Sequence, residues 1–171
     1  MSTTFLEAPP PPAAPAAWRA LRRATLLTAV ADGLFSSVLS AFFYGSTVTR
    51  LWQGVASVLL GSSALTGGMA MVLVGIAMHV AVACAWSAVF LVLVLRSARL
   101  RARLHSPAGV VAIAAAYGPI VWLVMSLIVI PLLTHRPPSI TFRWWVQFFG
   151  HMVFVGLPIV GQMARIVPRA R

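Results

Sequence analysis

The stretch "TLLTAVADGLFSSVLSAFF", from Thr25 to Phe43, is an apolar run with a carboxylate, Asp32, near its middle. An α-helix rises about 1.5 Å per residue, so roughly 20 apolar residues cross the ~30 Å hydrocarbon core of a bilayer. The stretch is therefore predicted to span a membrane. An ionised carboxylate that faces lipid costs several kcal/mol, so Asp32 is expected to face the inside of a helix bundle.

The composition of the whole chain is typical of a membrane protein. Of its 171 residues, 60% are hydrophobic and only 9% are charged, whereas a soluble domain carries about a quarter charged residues. Four apolar runs are long enough to span. The sequence predicts an all-α integral membrane bundle of four transmembrane helices, at about residues 24–44, 69–95, 108–133 and 144–166.

Two further segments flank or interrupt these runs. Residues 1–17 contain "PPPPAAPAA" and are predicted to form a flexible cytoplasmic tail, because repeated proline favours an extended chain; docking of this tail onto a partner is the alternative. Residues 18–171 are predicted to form one transmembrane domain. Within it, residues 48–60 are predicted to form a short amphipathic helix in the membrane interface, with Trp52 at the lipid headgroups. A re-entrant segment packed between the spanning helices is the alternative.

The net charge of +11 comes from 13 arginines without any lysine. Most of them lie at the ends of the apolar runs, which indicates membrane topology and not nucleic-acid binding. Loops with three, four and three arginines alternate with loops that carry one and two. The positive-inside rule then predicts a bacterial inner-membrane protein with both termini in the cytoplasm. One cluster is predicted to bind lipid headgroups: Arg96, Arg99, Arg101 and Arg103.

Polar residues recur at helical spacing inside the apolar runs. Asp32 and Ser36 share a face of the first run, and Gln147, His151 and Gln162 lie close to one face of the fourth. His79 adds a polar group to the second run. The sequence predicts that these groups face one another in a polar seam made of Asp32, Ser36, His79, Gln147, His151 and Gln162.

Four interpretations of the seam remain open. Its residues could serve only to fix helix register by hydrogen bonds. Asp32, His79 and His151 could form a proton or solute path in a small transporter. His79 and His151 could instead ligate a haem or another tetrapyrrole, with Gly75 leaving room for the flat ring.

The fourth interpretation, and the one predicted here, is an accessory subunit that packs against other membrane proteins or against a second copy. No catalytic constellation and no cysteine or histidine cluster with metal spacing occurs in the sequence. The protein is therefore predicted to be no enzyme and to need no cofactor or metal. Its predicted partners are the lipid bilayer and other membrane subunits.

Several segments, in their order and spacing, resemble a family of uncharacterised bacterial four-helix inner-membrane proteins. They are "GSTVTRLWQGVASVLLG", "GIAMHVAVA" with His79, "AYGPIVWLVMSLIVIPL" and "HMVFVGLPI" with His151. The resemblance covers about residues 31–160. It implies a four-helix fold and an inner-membrane location, and it implies no activity or catalytic residue.

Overall fold

The computed structural model describes residues 11–168, and in this range it contains helices but no strand. Four of the helices are long and apolar enough to cross a membrane, and a short amphipathic helix joins the first two of these. The predicted all-α bundle of four spanning helices is thus confirmed. The helices are α1 (Ala14–Phe43), α2 (Val48–Leu60), α3 (Gly68–Arg96), α4 (Ala98–Arg103), α5 (Pro107–Thr134) and α6 (Phe142–Ala164).

The first helix begins about ten residues earlier than predicted. It starts at Ala14, and Ala17 is already buried in the core. Pro15 stands in the first turn, where its missing N–H costs no helical hydrogen bond, and the surrounding alanines are strong helix formers. The last part of the predicted tail is therefore helical, whereas residues 1–10 lie outside the described residues.

The spanning helices pack through glycines. Helix α1 packs on α3 and α6, and α5 packs on α6. Gly118 of α5 lies against the main chain of His151, and Gly156 of α6 lies against the main chain of Ala114. A side chain at either glycine would collide with backbone atoms, so these two residues allow α5 and α6 to approach closely.

Three of the spanning helices contain a five-residue π-helical turn. The turns are Leu39–Phe43 in α1, Met125–Val129 in α5 and Met152–Gly156 in α6. Pro131 and Pro158 each come two residues after the end of one of them. Proline lacks an N–H and its ring clashes with the carbonyl four residues back, and a wider turn accommodates both effects.

The two halves of the bundle are packed differently. The α4 half, beside α4 and the start of α1, contains the main hydrophobic core. Its central side chains are at most 2% exposed, and they are Ala24, Phe90, Val94, Ile159, Val160 and Met163. The α2 half, beside α2 and the start of α6, contains more aromatic and polar side chains and encloses a cavity.

Helix α2 lies against the bundle in a way that corrects one prediction. Trp52 is only 9% exposed, its indole contacts Gly33 of α1, and its main chain contacts Gly75 of α3. The prediction that Trp52 lies at the lipid headgroups is therefore wrong. Because Gly33 and Gly75 have no side chains, α2 packs closely against α1 and α3. This packing agrees with the alternative of a segment that lies between spanning helices.

Candidate functional site

A partly open cavity of about 370 Å³ lies in the α2 half, between α1, α2, α3, α5 and α6. Apolar side chains of α2 and α5 form much of its wall, together with three tryptophans, Trp52, Trp86 and Trp122. Its polar side chains come from α1, α3 and α6. They are Thr28, Asp32, Ser36, His79, Gln147 and His151.

Asp32 and His79 are neighbouring ionisable side chains in this wall. The Nε2 atom of His79 lies 3.9 Å from Oδ2 of Asp32 and donates a hydrogen bond to the carbonyl oxygen of Ala29 at 3.1 Å. Asp32 is 8% exposed. Because 3.9 Å exceeds hydrogen-bond length, the imidazole faces the carboxylate without a direct hydrogen bond to it.

A second set of contacts joins α1 to α6 on the same wall. Gln147 donates from Nε2 to the hydroxyl of Ser36 at 3.3 Å, and His151 donates from Nδ1 to the carbonyl oxygen of Gln147 at 2.8 Å. The ring of His151 lies 4.8 Å from that of Trp122. The Nδ1 bond orients the imidazole and fixes which nitrogen carries the proton.

Five of the six residues predicted to form a polar seam thus line one cavity. The sixth, Gln162, is buried near the end of α6 and does not line it. The π-helical turn Met152–Gly156 lies between His151 and Gln162. Val155 and Ile159, within and after that turn, still line the cavity. Gln162 lies about 16 Å further along α6 than His151, so it lies beyond the end of the cavity, towards α4.

Four buried polar atoms in the cavity wall have no hydrogen-bond partner among the described residues: Thr28 Oγ1, Asp32 Oδ1, Trp122 Nε1 and Gln147 Oε1. Buried polar atoms in proteins are almost always hydrogen-bonded, because each unpaired one costs about 1–3 kcal/mol. The residues that carry these three acceptor-bearing groups and one donor line a shared space, so a polar molecule or water inside it can pair with them once their side chains turn towards it.

A second cavity, of about 490 Å³, adjoins the first beside the loop between α5 and α6. Both cavities are lined by Trp122, Ile130 and Gln147, so these side chains separate them. Arg136 and Arg143 line the outer cavity only. Access to the inner cavity from this side would require Trp122 or Gln147 to move.

The tryptophans of the cavity wall were not predicted from the sequence. Trp122 lies well inside a spanning helix, whereas tryptophans of membrane proteins concentrate at the two interfaces. The position of Trp122 in the middle of a spanning run was the sequence feature that could have indicated a buried tryptophan.

A tetrapyrrole does not fit between His79 and His151. Nε2 of His79 is bonded to the carbonyl oxygen of Ala29, and its ring packs edge-on against Trp52 with centroids 5.3 Å apart. The side of Gly75 that was expected to leave room for a flat ring is filled by the main chain of Trp52. The two histidines are therefore cavity walls and not an open pair of axial ligands.

The arginine cluster at the end of α3 divides into two kinds of residue. Arg96, Arg99 and Arg103 are exposed, as residues that meet lipid headgroups would be. Arg101 is 7% exposed and donates from Nη1 to the carbonyl oxygens of Val94 and Leu95, at 2.9 and 3.0 Å. The prediction for Arg101 is thus wrong, because its guanidinium caps the carbonyl end of α3.

No family model, no curated protein and no solved structure matches this chain. The cavity is therefore the basis for a functional proposal.

Proposed function

We propose that this integral membrane protein binds a small solute in the cavity of its α2 half, as a small transporter does. The observation that carries the proposal is the group of four unpartnered polar atoms on residues that line a space of about 370 Å³. Small-molecule sites are concave, mainly apolar and equipped with a few convergent polar groups. The proposal includes no covalent chemistry, because the cavity wall holds no nucleophile hydrogen-bonded to a base among the described residues.

Packing favours a solute site over a continuous proton path. A proton relay needs titratable groups or water along the whole span. Among the described residues, the titratable cavity groups Asp32, His79 and His151 all belong to the α2 half. The α4 half is filled by aliphatic and aromatic side chains that exclude water, such as Val94 and Met163. A solute would therefore cross only through a rearrangement of helices.

The glycines that flank α2 are the points at which the backbone could bend in such a rearrangement. Gly45, Gly61 and Gly68 have positive φ values of 59°, 75° and 64°, and glycine adopts this region without strain. Helix α2 is joined to α1 and α3 through these glycines, and its movement would break the hydrogen bond that Gln53 donates to the carbonyl oxygen of Gly68. Movement of α2 would carry Trp52 away from the cavity and open that side of it.

Blocking the cavity tests the proposal. Ala83 lines the cavity and is 5% exposed, whereas Ala116 is exposed on α5. We expect gentle purification and native mass spectrometry to detect a small-molecule adduct on the wild type and on Ala116→Phe, and to find it lost from Ala83→Phe. The same adducts on all three proteins, or none on any of them, would contradict a solute site.

An accessory role is a second candidate, supported by a row of small residues on α3. Ala77, Ala81 and Ala85 are spaced by four and exposed, and such rows allow another helix to approach closely. We expect a higher-mass complex in mild detergent that Ala81→Phe dissociates and Ala116→Phe leaves intact. Only lipid-bound monomer in the wild type would remove this candidate.

We further propose the inner membrane as the location, with both termini in the cytoplasm. Eight of the described arginines lie at the end of the bundle that carries α4, and three at the end that carries α2. Cytoplasmic ends carry the excess of positive charge. A fluorescent protein fused after Arg171 should fluoresce, and alkaline phosphatase inserted at residues 136–139 should be active. The reverse pattern would invert the topology.

A further inference from the structure

The charge distribution around the cavity indicates which kind of solute it holds. Asp32 is the only carboxylate among residues 11–168, and all of the described arginines lie outside the wall of the inner cavity. A carboxylate in a low-dielectric site needs a positive partner or a proton. The inner cavity therefore holds the one carboxylate of the described residues and no arginine, although the protein as a whole is strongly basic.

His79, the nearest possible partner within the protein, does not form a hydrogen bond with the Asp32 carboxylate. His79 faces Oδ2 of Asp32 at 3.9 Å and gives its Nε2 hydrogen to Ala29 instead. Oδ1 of Asp32 accepts no hydrogen bond from the described residues. Oε1 of Gln147, in the same wall, is a second unused acceptor. Two acceptors, one of them an anion, suit a ligand that offers N–H donors and a positive charge.

The remaining wall suits the apolar part of such a ligand. Trp52, Trp86 and Trp122 line the cavity, and the face of an indole attracts a nearby cation. The described residues contain no group of three or more histidine, cysteine or acidic side chains that could hold a metal ion. A bare metal cation is therefore a poor match, and an organic cation with an apolar body is a good one.

We infer that the solute is a protonated organic amine, bound with its nitrogen between Asp32 Oδ1 and Gln147 Oε1 and its apolar part among the tryptophans. This inference rests on the proposed solute site and specifies its ligand class. The N–H donors separate it from a quaternary ammonium ion, which has charge but cannot donate. The outer cavity, with Arg136 and Arg143, has the opposite charge and would favour anions.

Four probes of similar size test the inference on the full-length protein in nanodiscs. They are phenethylamine, its N,N,N-trimethyl derivative, phenethyl alcohol and 3-phenylpropionate, titrated by calorimetry with empty nanodiscs as the blank. We expect phenethylamine to bind roughly tenfold or more tightly than the alcohol, the effect of one charge-assisted hydrogen bond. The trimethyl derivative should fall between them, because it keeps the charge alone.

Variants then assign the preference to the cavity. Asp32→Asn keeps the shape of the side chain and should reduce phenethylamine affinity to that of the alcohol. Gln147→Leu should narrow the gap between phenethylamine and its trimethyl derivative, and it serves as the second variant if Asp32→Asn does not fold. Gln162→Leu removes a buried amide that does not line the cavity, and it should leave the whole series unchanged.

The outcomes separate the two proposals. If the alcohol or the carboxylate binds as tightly as the amine, and Ala83→Phe abolishes that binding, the solute site stands and the amine inference is overturned. If amine binding is unaffected by both Asp32→Asn and Gln147→Leu, the inference is also overturned. Failure of all four probes to bind at millimolar concentration would overturn the inference, while the adduct experiment on Ala83→Phe decides the solute site independently.

Discussion

The α4 half and the α2 half of the bundle use the same four spanning helices but fill the space between them differently. In the α4 half, Phe90, Val94 and Met163 are almost completely buried in an apolar cluster. In the α2 half, the same helices present Asp32, His79 and His151 to a cavity of about 370 Å³. One half is a close-packed core, and the other keeps a partly open space whose lining residues carry unpartnered polar atoms.

This difference separates the half of the bundle that provides most of the stability from the half in which we propose the solute site. Association of helices in a membrane depends on packing and hydrogen bonds, because lipid tails are as apolar as the core. A half that leaves a cavity and four unpaired polar atoms gives up both kinds of stabilisation. Proteins commonly accept such a loss at functional sites and compensate for it elsewhere, and the α4 half supplies that compensation here.

The largest loss of stability is expected from adding one methyl group at a glycine where α5 and α6 cross. A Cβ atom at Gly156 would collide with the main chain of Ala114, whereas one at Gly161, on the same helix, would meet nothing within 4 Å. Gly156→Ala should lower the free energy of unfolding by up to about 3 kcal/mol, the upper range for overpacking. Gly161→Ala should raise it by up to about 1 kcal/mol through helix propensity.

Reversible unfolding in mixed detergent and lipid micelles measures both values. Equal effects of the two substitutions would mean that α5 and α6 are not in main-chain contact at Gly156, and the close crossing of these two helices would then be wrong.

A large-to-small substitution in each half sharpens the contrast. Phe90 is 2% exposed in the α4 half, and Phe90→Ala should cost on the order of 2 kcal/mol, less than the ~3–5 kcal/mol of soluble cores because lipid removes part of the transfer term. Met78 borders the existing cavity, so Met78→Ala should cost clearly less. The same unfolding assay compares them, and a larger loss for Met78→Ala would reverse the assignment of the two halves.

The spanning helices could be predicted from the sequence because length and hydropathy alone determine them. The burial of Asp32 could be predicted from the cost of a carboxylate in lipid. The start of α1 at Ala14 could not be predicted, because alanine favours a helix while proline usually indicates a helix end. Only the position of Pro15 in the first turn resolves this conflict.

Other features depended on partners that a single helix does not reveal. The burial of Trp52 needs Gly33 and Gly75 on two other helices. The role of Arg101 needs the free carbonyls at the end of α3, which charge counting cannot identify. Gln162 does not join His151 in the cavity wall because it lies about 16 Å further along α6, and the depth at which the cavity ends depends on the neighbouring helices.

The boundary between the two halves gives the smallest predicted effect. Tyr117 of α5 lies in the core cluster of the α4 half, and its hydroxyl donates to the carbonyl oxygen of Trp86 in α3 at 2.7 Å, next to the cavity wall. Tyr117→Phe removes one interhelical hydrogen bond and should cost about 1 kcal/mol, within the range measured for such bonds in membranes. If the bond holds α3 against α5 below the cavity, its loss should also accelerate hydrogen exchange in α3 around Trp86, as measured by mass spectrometry.

Trp144→Phe removes a bond of the same kind, from Nε1 to Ser126 at 3.0 Å, but this bond joins α6 to α5 and does not involve α3. It should therefore cost a similar free energy without changing exchange near Trp86. Equal acceleration by both variants would show that the cavity floor is not held by Tyr117 and that the two halves are coupled more widely than their packing indicates.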